Sequence, residues 1–105
     1  MRLGPPVADL GLFEQALEVY EALERDQGRW PTLDMVEEVL DGVAANPGSR
    51  ENRLRRFQDP PSFAVPVATP EGDWLVLWRE VSEEDEFADL VPGDVHVLYV
   101  GGLPD

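Results

Sequence analysis

Two apolar runs joined by a turn signal restrict what this chain can fold into more than any other feature of the sequence. The first run covers residues 63–68 (FAVPVA) and the second covers residues 74–81 (WLVLWREV). Residues 70–73 between them read Pro-Glu-Gly-Asp, an order that favours a tight turn. Short runs rich in β-branched and aromatic residues are typical of strands. The sequence therefore predicts a β-hairpin at the centre of a sheet.

Alternation along the second run separates its side chains into two faces. We predict that one face carries Trp74, Val76 and Trp78, and that the other carries Leu75, Leu77 and Val81. Pro66 in the first run lacks the N–H that a ladder needs, which predicts an edge strand or a bulge. A further strand is predicted over residues 95–100 (VHVLYV), ended by Gly101 and Gly102.

The residues before the hairpin have the three- and four-residue apolar spacing of amphipathic helices. One helix is predicted over residues 10 to about 26, and a second over residues 33–45 after a cap at Thr32. The Asn-Pro-Gly segment at 46–48 ends the second helix. These elements predict a single α+β domain over residues 1–105, in which two N-terminal helices pack on a small antiparallel sheet.

The charge of the chain disfavours several classes of partner. The 105 residues include 22 Asp and Glu but only 8 basic residues, all of them Arg, which gives a formal net charge of −14. A surface this acidic repels phosphate backbones, so binding to nucleic acid or to an anionic membrane is disfavoured and a basic protein partner is favoured.

The absence of Cys excludes disulfides and thiolate chemistry. We find no signal-peptide core and no window that could span a membrane, so we expect a cytoplasmic protein.

Half of the basic residues lie in the seven residues 50–56, where four Arg and Glu51 give a net charge of +3 and leave −17 for the remainder. We predict a short helical turn after Ser49 that carries Arg50, Arg53, Arg55 and Arg56. The arginines either contact a partner or pair with carboxylates of the same chain, for which the planar guanidinium is well suited. Both interpretations stay open from the sequence.

An acidic segment follows the hairpin. Residues 80–94 contain seven acids and no base, and we expect either a loop or a short helix beginning at Ser82. Glu83, Glu84, Asp85 and Glu86 lack the alternating spacing and central Gly of a calcium loop, so no metal site is predicted. These four carboxylates are instead candidates for contacting a basic partner.

Residues with catalytic potential are few. His96 lies inside a predicted strand without marked partners, and none of Ser49, Ser62 and Ser82 stands in a nucleophile elbow. No Gly-rich loop that could hold phosphate precedes a helix. The sequence therefore predicts no catalytic residue, no metal and no cofactor, and it favours a protein that is not an enzyme.

The order of elements and several local patterns resemble the RelE/ParE superfamily of bacterial toxins. The patterns are a helix ending in Asn46-Pro47, the segment Asn52-Arg53-Leu54-Arg55, the strand over 63–67, Gly72 before the aromatic-rich strand over 74–78, and a last strand ending in Gly101. The resemblance covers about residues 10–101. It implies an α+β fold and, for the family, cleavage of messenger RNA on the ribosome or poisoning of DNA gyrase, with neutralisation by an antitoxin peptide. Family members usually begin with a strand, which this N-terminus does not indicate.

The resemblance also implies where a metal-independent ribonuclease site would lie. Such a site needs cations at the transition-state phosphate and a group that activates the 2'-hydroxyl. Arg53 and Arg55 match the basic positions that follow the second helix in the family. Other basic positions of the family are replaced, namely by Ala64, Pro66, Leu75 and the terminal segment 102–105. The resemblance therefore implies a ribonuclease site that is degenerate or absent.

The residues leave three functions open. The first is a toxin-like protein of a toxin–antitoxin type system that binds a protein partner and cleaves little or no RNA. The second is an acidic binding protein, such as an immunity protein, an antitoxin or a phage inhibitor that mimics nucleic acid. The third is a ribonuclease that uses Arg53, Arg55, Arg56 and Arg79 with Tyr99. The candidate partner-binding residues are Arg53, Arg55, Arg56, Arg79, Glu83, Glu84, Asp85 and Glu86.

Overall fold

Five strands and three α-helices make up the part of the chain that the computed structural model describes, residues 10–12, 14–58, 61–85 and 90–102. In chain order they are β1 Leu10–Leu12, α1 Glu14–Arg25, α2 Trp30–Ala45, α3 Arg50–Arg53, β2 Arg55–Gln58, β3 Pro61–Thr69, β4 Gly72–Glu80 and β5 Val95–Gly102. The strands form one sheet of order β1-β5-β4-β3-β2. Only the β1–β5 pair is parallel, so the sheet is mixed. The predicted α+β class is confirmed.

The predicted hairpin lies at the centre of this sheet. β3 and β4 pair from Phe63 opposite Trp78 to Thr69 opposite Gly72, with Val65 opposite Val76. The Thr69 hydroxyl stabilises the turn, because it donates to the Gly72 carbonyl at 2.8 Å and accepts from the Glu71 amide at 3.1 Å. Gly72 adopts a φ of 121°, a conformation that favours glycine. The hairpin prediction is confirmed.

Pro66 lies where the outer edge of β3 has no neighbouring strand. β2 pairs only with Pro61–Ala64, so β3 is an edge strand from Val65 onwards within the described residues. Because Thr69 and Gly72 close the hairpin, alternate amides of β3 point to β4, and the nitrogen of Pro66 points to the outer edge. The proline therefore leaves the β3–β4 ladder intact and removes a donor from the free edge. The predicted edge position is confirmed.

Helices α1 and α2 pack on one face of the sheet and enclose the main core. The buried side chains of this core are Ala16, Leu23, Leu33, Val36, Leu40, Val43, Val67, Trp74, Val76, Trp78, Val95, Val97 and Val100. The opposite face buries a smaller cluster of Ala64, Leu75 and Leu77. The alternation predicted for Trp74 to Leu77 is therefore confirmed. None of the helices in the described residues is both long and apolar enough to cross a bilayer.

A bulge in β5 sets which of its residues reach the core. Leu77 pairs with Tyr99, whereas the next residue, Trp78, pairs with Val97, so β5 has one extra residue at this point. Val97 and Val100 join the main core, and Leu98 packs with Tyr99 against the smaller cluster on the other face. The strand also continues through both glycines to Gly102, beyond the predicted end.

The N-terminal segment differs from the predicted helix at residue 10. Leu10–Leu12 form β1, with Leu10 opposite Val95. Gly11 weakens the helix preference of this short segment, and pairing with β5 satisfies its backbone groups. The Gln15 side chain then donates to the Val100 carbonyl at 2.8 Å and accepts from its amide at 3.1 Å. The helices consequently lie between β1 and β2, and not before the whole sheet as predicted.

Two further differences concern boundaries near Pro and Arg residues. α2 is predicted to begin at residue 33 after a cap at Thr32, but it begins at Trp30. It holds Pro31 in its first turn, where the missing N–H would have no helical acceptor. The helical turn predicted to carry Arg50, Arg53, Arg55 and Arg56 ends at Arg53, and Arg55–Gln58 pair with β3 instead. Ser49 does cap the turn, since its hydroxyl accepts from the Asn52 amide at 3.2 Å. The ladder with β3 outweighs the local helical preference of the arginines.

The two sides of α1 predict different responses to truncation. Leu23 is fully buried in the main core, whereas the side chain of Leu17 is 41% exposed. We expect Leu23→Ala to lower the free energy of unfolding by about 2–5 kcal/mol, because it removes buried contacts and leaves a cavity. The matched change Leu17→Ala should lower it by less than about 1 kcal/mol. Urea unfolding followed by circular dichroism measures both, and equal effects would contradict the packing of α1.

Candidate functional site

Arg53, at the end of α3, is enclosed by groups of the same chain. Its guanidinium carbon lies 5.1 Å from the centre of the Phe63 ring and 5.7 Å from that of Trp78. Its Nε donates to the Pro47 carbonyl at 2.6 Å, and its Nη2 lies 3.3 Å from Glu80 Oε1. Stacking on aromatic faces and pairing with a carboxylate are both favourable for Arg. The structure therefore gives Arg53 a stabilising role, which is the intramolecular interpretation that the sequence left open.

Trp78 connects the hairpin to the segment that carries the arginines. Its indole is fully buried, and its Nε1 donates to the Asn52 carbonyl at 3.1 Å. The Asn52 side chain in turn donates to the carbonyls of Gly42 at 3.2 Å and Asn46 at 3.0 Å. These bonds hold α3 against the end of α2 and fix the direction in which β2 begins.

Arg79 and Asp85, both predicted to contact a partner, pair with each other. The two guanidinium nitrogens of Arg79 lie 2.9 and 2.8 Å from the two carboxylate oxygens of Asp85, a bidentate geometry. Asp85 also accepts from the Ser82 amide at 2.7 Å and from its hydroxyl at 3.1 Å. These contacts, above all those of Arg79, hold the pKa of the Asp85 carboxyl well below its usual range. The pair closes the turn after β4, so its main role is structural.

The other predicted acidic residues differ in exposure and in what the structure describes. Glu83 and Glu84 are exposed in the turn that Asp85 stabilises. Glu86 lies outside the described residues. The return to β5 is fixed by Asp94, whose carbonyl accepts from the Val81 amide at 2.8 Å and whose carboxylate accepts from the Val91 amide at 2.9 Å. Glu83 and Glu84 are therefore the described members of this group that can meet a partner.

Arg55 and Arg56 are exposed on β2 and point to opposite faces of the sheet. Arg56 is opposite Phe63 on the face of the main core, with its guanidinium carbon 5.6 Å from the ring centre. Arg55 is opposite Ala64, on the face of the smaller cluster. Neither forms an ion pair with a residue that the structure describes. These two cations are thus available to a partner, in contrast to Arg53.

A concave surface of about 490 Å³ adjoins Arg56. It is lined by Arg56, Gln58, Pro61, Ser62, Phe63 and Arg79. Phe63 supplies an aromatic wall, Gln58 and Ser62 supply polar groups, and Arg79 already pairs with Asp85. The sequence did not identify Gln58, Ser62 or Phe63 as partner-binding residues. Period-two alternation could assign Phe63 to the face of Trp78, but only the registers of β2 and β4 bring it beside the arginines.

The residues proposed for RNA cleavage are divided between the two faces of the sheet. Arg53 and Arg56 lie on the face of the main core, whereas Arg55 and Tyr99 lie on the opposite face. The Tyr99 hydroxyl donates to the Gly102 carbonyl at 2.7 Å. His96 is opposite Arg79 in the ladder, and burial together with the Arg79 charge lowers its pKa. Arg79 and His96, opposite each other in the β4–β5 ladder, lie on the same face as Arg55 and Tyr99. Arg79 is paired with Asp85, which leaves Arg55 as the one cation of this group on that face without an ion pair to a described residue.

The outer surface of the helices is strongly acidic. α1 and α2 together carry one basic residue, Arg25, against eight carboxylates, namely Glu14, Glu18, Glu21, Glu24, Asp34, Glu37, Glu38 and Asp41. Glu37 is half-buried and accepts from the Tyr20 hydroxyl at 2.7 Å, which raises the pKa of Tyr20 to about 12. The other seven are exposed. We call these seven residues the acidic helix surface.

Nothing in the described residues gathers three or more carboxylates or imidazoles into a geometry that could hold a metal ion. Comparisons with protein-family models, with curated proteins and with solved structures find no match to this chain.

The environment of Arg53 predicts a loss of stability on truncation. We expect Arg53→Ala to lower the free energy of unfolding by about 1–3 kcal/mol, because the change removes two aromatic contacts and a bond to the Pro47 carbonyl. Arg50→Ala is the matched control, since Arg50 is exposed in the same helix, and it should change stability by less than about 0.5 kcal/mol. Equal effects in urea unfolding would show that Arg53 is not held as described.

The Arg79–Asp85 pair predicts a pH-dependent contribution to stability. The Asp85 pKa is lowered in the folded protein, so its contribution is complete above the unfolded value, about 4, and is lost as the pH falls through the folded value. We therefore expect Asp85→Asn to be less stable than the parent chain at pH 7, with a difference that narrows below about pH 4. Urea unfolding from pH 3 to pH 7 measures the difference. A gap that is constant over this range would contradict the ion pair.

Proposed function

We propose that this chain is a RelE/ParE-like toxin-fold protein of a bacterial toxin–antitoxin type system that binds a protein partner in the cytoplasm. Its ribonuclease site is degenerate or absent. The order of elements supports this proposal: one short strand, two helices, a short Arg-bearing helix and four further strands. The resemblance implied an initial strand that the sequence did not indicate, and β1 occupies that place in the order.

The pairing and orientation of the arginines support the proposal that RNA is not cleaved. A transition-state phosphate needs cations whose charge is not already compensated. Arg53 pairs with Glu80 and Arg79 pairs with Asp85, so two of the four candidate cations are compensated within the chain. The other two, Arg55 and Arg56, point to opposite faces of β2. The net charge of −14 further opposes approach to ribosomal RNA.

Binding to a protein is supported by the separation of charge over the molecule. The acidic helix surface carries seven exposed carboxylates, and Arg50, Arg55 and Arg56 are exposed around β2. Separated patches of opposite sign steer a partner of complementary charge and fix its orientation. Because the acidic surface is the larger, the partner that we propose is basic overall.

The acidic helix surface also favours a second function, an acidic binding protein that acts as an immunity protein, an antitoxin or a phage inhibitor by mimicking nucleic acid. In this case a basic partner would contact the carboxylates of the helices, or Glu83 and Glu84, and the arginines would be dispensable. The two functions therefore assign partner contact to different residues.

Two sets of variants, one of arginines and one of glutamates, distinguish these functions. We expect expression of the parent chain in its host to arrest growth and Arg55→Ala/Arg56→Ala to relieve the arrest, with Arg25→Ala as the control of equal side-chain type. Arg53→Ala is unsuitable because it would destabilise the fold. In a pull-down from host lysate at low salt, the second function predicts that Glu18→Gln/Glu21→Gln weakens capture and that the arginine variant does not.

Messenger-RNA cleavage by the purified chain, abolished by Arg55→Ala/Arg56→Ala, would refute the degenerate site. Both functions would be refuted if expression caused no growth arrest and if no captured protein responded to either set of variants.

A further inference from the structure

β2 is the outermost strand of the sheet on the side of the hairpin. It pairs with β3 alone, and its other edge meets no strand among the described residues. Arg55 and Phe57 are opposite Ala64 and Ser62, whose amides point to β2, so the amides of Arg55 and Phe57 point to β3 in return. The amides and carbonyls of Arg56 and Gln58 therefore point outward. A row of this kind is a template for an additional strand.

The free edge of β3 does not compete for this role. Pro66 removes the outward donor at the centre of its unpaired part, as described above. β2 contains no proline between Arg55 and Gln58. The unpaired part of β3 keeps one of its two outward donors, on Ala68, whereas β2 keeps both of its outward donors among the described residues and also carries two arginines.

The charges around β2 define the chemistry of what could add to it. Arg50, Arg55 and Arg56 form no ion pair with a described residue, in a chain whose net charge is −14. The Arg56 guanidinium is oriented by the Phe63 ring at 5.6 Å and borders the concave surface that Gln58 and Ser62 also line. A stacked guanidinium is pre-organised to bind a carboxylate through two parallel bonds.

A peptide fits this edge better than a nucleic acid. The outward amides and carbonyls match the regularly spaced donors and acceptors of an extended peptide, whereas the phosphate groups of a nucleic acid offer no donors to the outward carbonyls. Around the concave surface, Arg53 and Arg79 are compensated by Glu80 and Asp85, which leaves Arg56 as the uncompensated charge among the described residues. One such charge suits single carboxylates spaced along a strand.

We propose that β2 is the docking edge for an extended acidic segment of a protein partner, which adds to the sheet as a sixth strand with a carboxylate on Arg56. This docking proposal rests on the protein-binding part of the proposed function. It requires that the partner has an acidic segment in addition to its basic surface. Alternate residues of the added strand point to the same face, so carboxylates at every second position of the segment can face Arg56.

Titration of the isotopically labelled full chain with a synthetic peptide, acetyl-Thr-Glu-Val-Glu-Val-Thr-amide, tests this proposal by nuclear magnetic resonance. Ionic strength near that of the cell removes the long-range repulsion between the two acidic molecules, because the Debye length is then about 8 Å. We expect shifts of the Arg56 and Gln58 amides. The same peptide with Gln in place of Glu should bind about three- to tenfold more weakly, as should Arg56→Gln with the original peptide. Arg25→Gln, which removes an exposed charge from α1, should change affinity less than about twofold.

Several results would overturn the proposal. They are equal affinity of the Glu and Gln peptides, shifts centred away from β2, no shifts at millimolar peptide, or shifts of Arg56 caused by oligouridylate and not by the peptide. Unchanged spectra of Arg56→Gln outside β2 verify that this variant folds. The proposed function can fail separately, because it is tested by growth arrest and by capture from lysate. If Arg56→Gln captures the same partner equally well, the docking edge is refuted while protein binding is retained.

Discussion

The buried Trp78 side chain is the contact through which the hairpin, α3 and the arginines depend on one another. Its indole is fully buried in the main core, packs against Phe63 with ring centres 5.0 Å apart, and donates to the Asn52 carbonyl. Arg53 then stacks over both rings. Because one side chain joins the core to α3, the place where β2 begins is set by the packing of the central hairpin. The position of the exposed arginines is therefore a consequence of the core.

Residues of one type have different roles because the strand register gives them different neighbours. Arg53 and Arg79 each have a carboxylate within salt-bridge distance, in Glu80 and Asp85. Arg55 and Arg56 are adjacent in sequence, yet one lies over Ala64 and the other over Phe63. A cluster that reads as a single basic patch in the sequence is thus divided into stabilising and exposed cations. This division follows from the strand register and from the turn after β4, and not from the local sequence around each arginine.

Opposite charges occupy separate parts of the surface. The acidic helix surface lies on the outer side of the layer formed by α1 and α2, and the exposed arginines lie around the edge strand β2. Such an arrangement orients an approaching partner before contact, and its influence extends only about a Debye length at physiological salt. Long-range attraction and the final contact can consequently involve different residues of the same chain.

The elements with local signals could be predicted from the order of the residues alone. These are the hairpin around Gly72, the two faces of β4, the end of α2 at Asn46 and the Ser49 cap, since each depends on preferences of neighbouring residues. By contrast, Leu10–Leu12 and Arg55–Gln58 are strands because of contacts distant in sequence, since ladders with β5 and β3 satisfy their backbone groups. The same holds for the candidate site: composition revealed the arginines and carboxylates, but which of them pair depends on registers and turns that bring separate segments within a few ångströms.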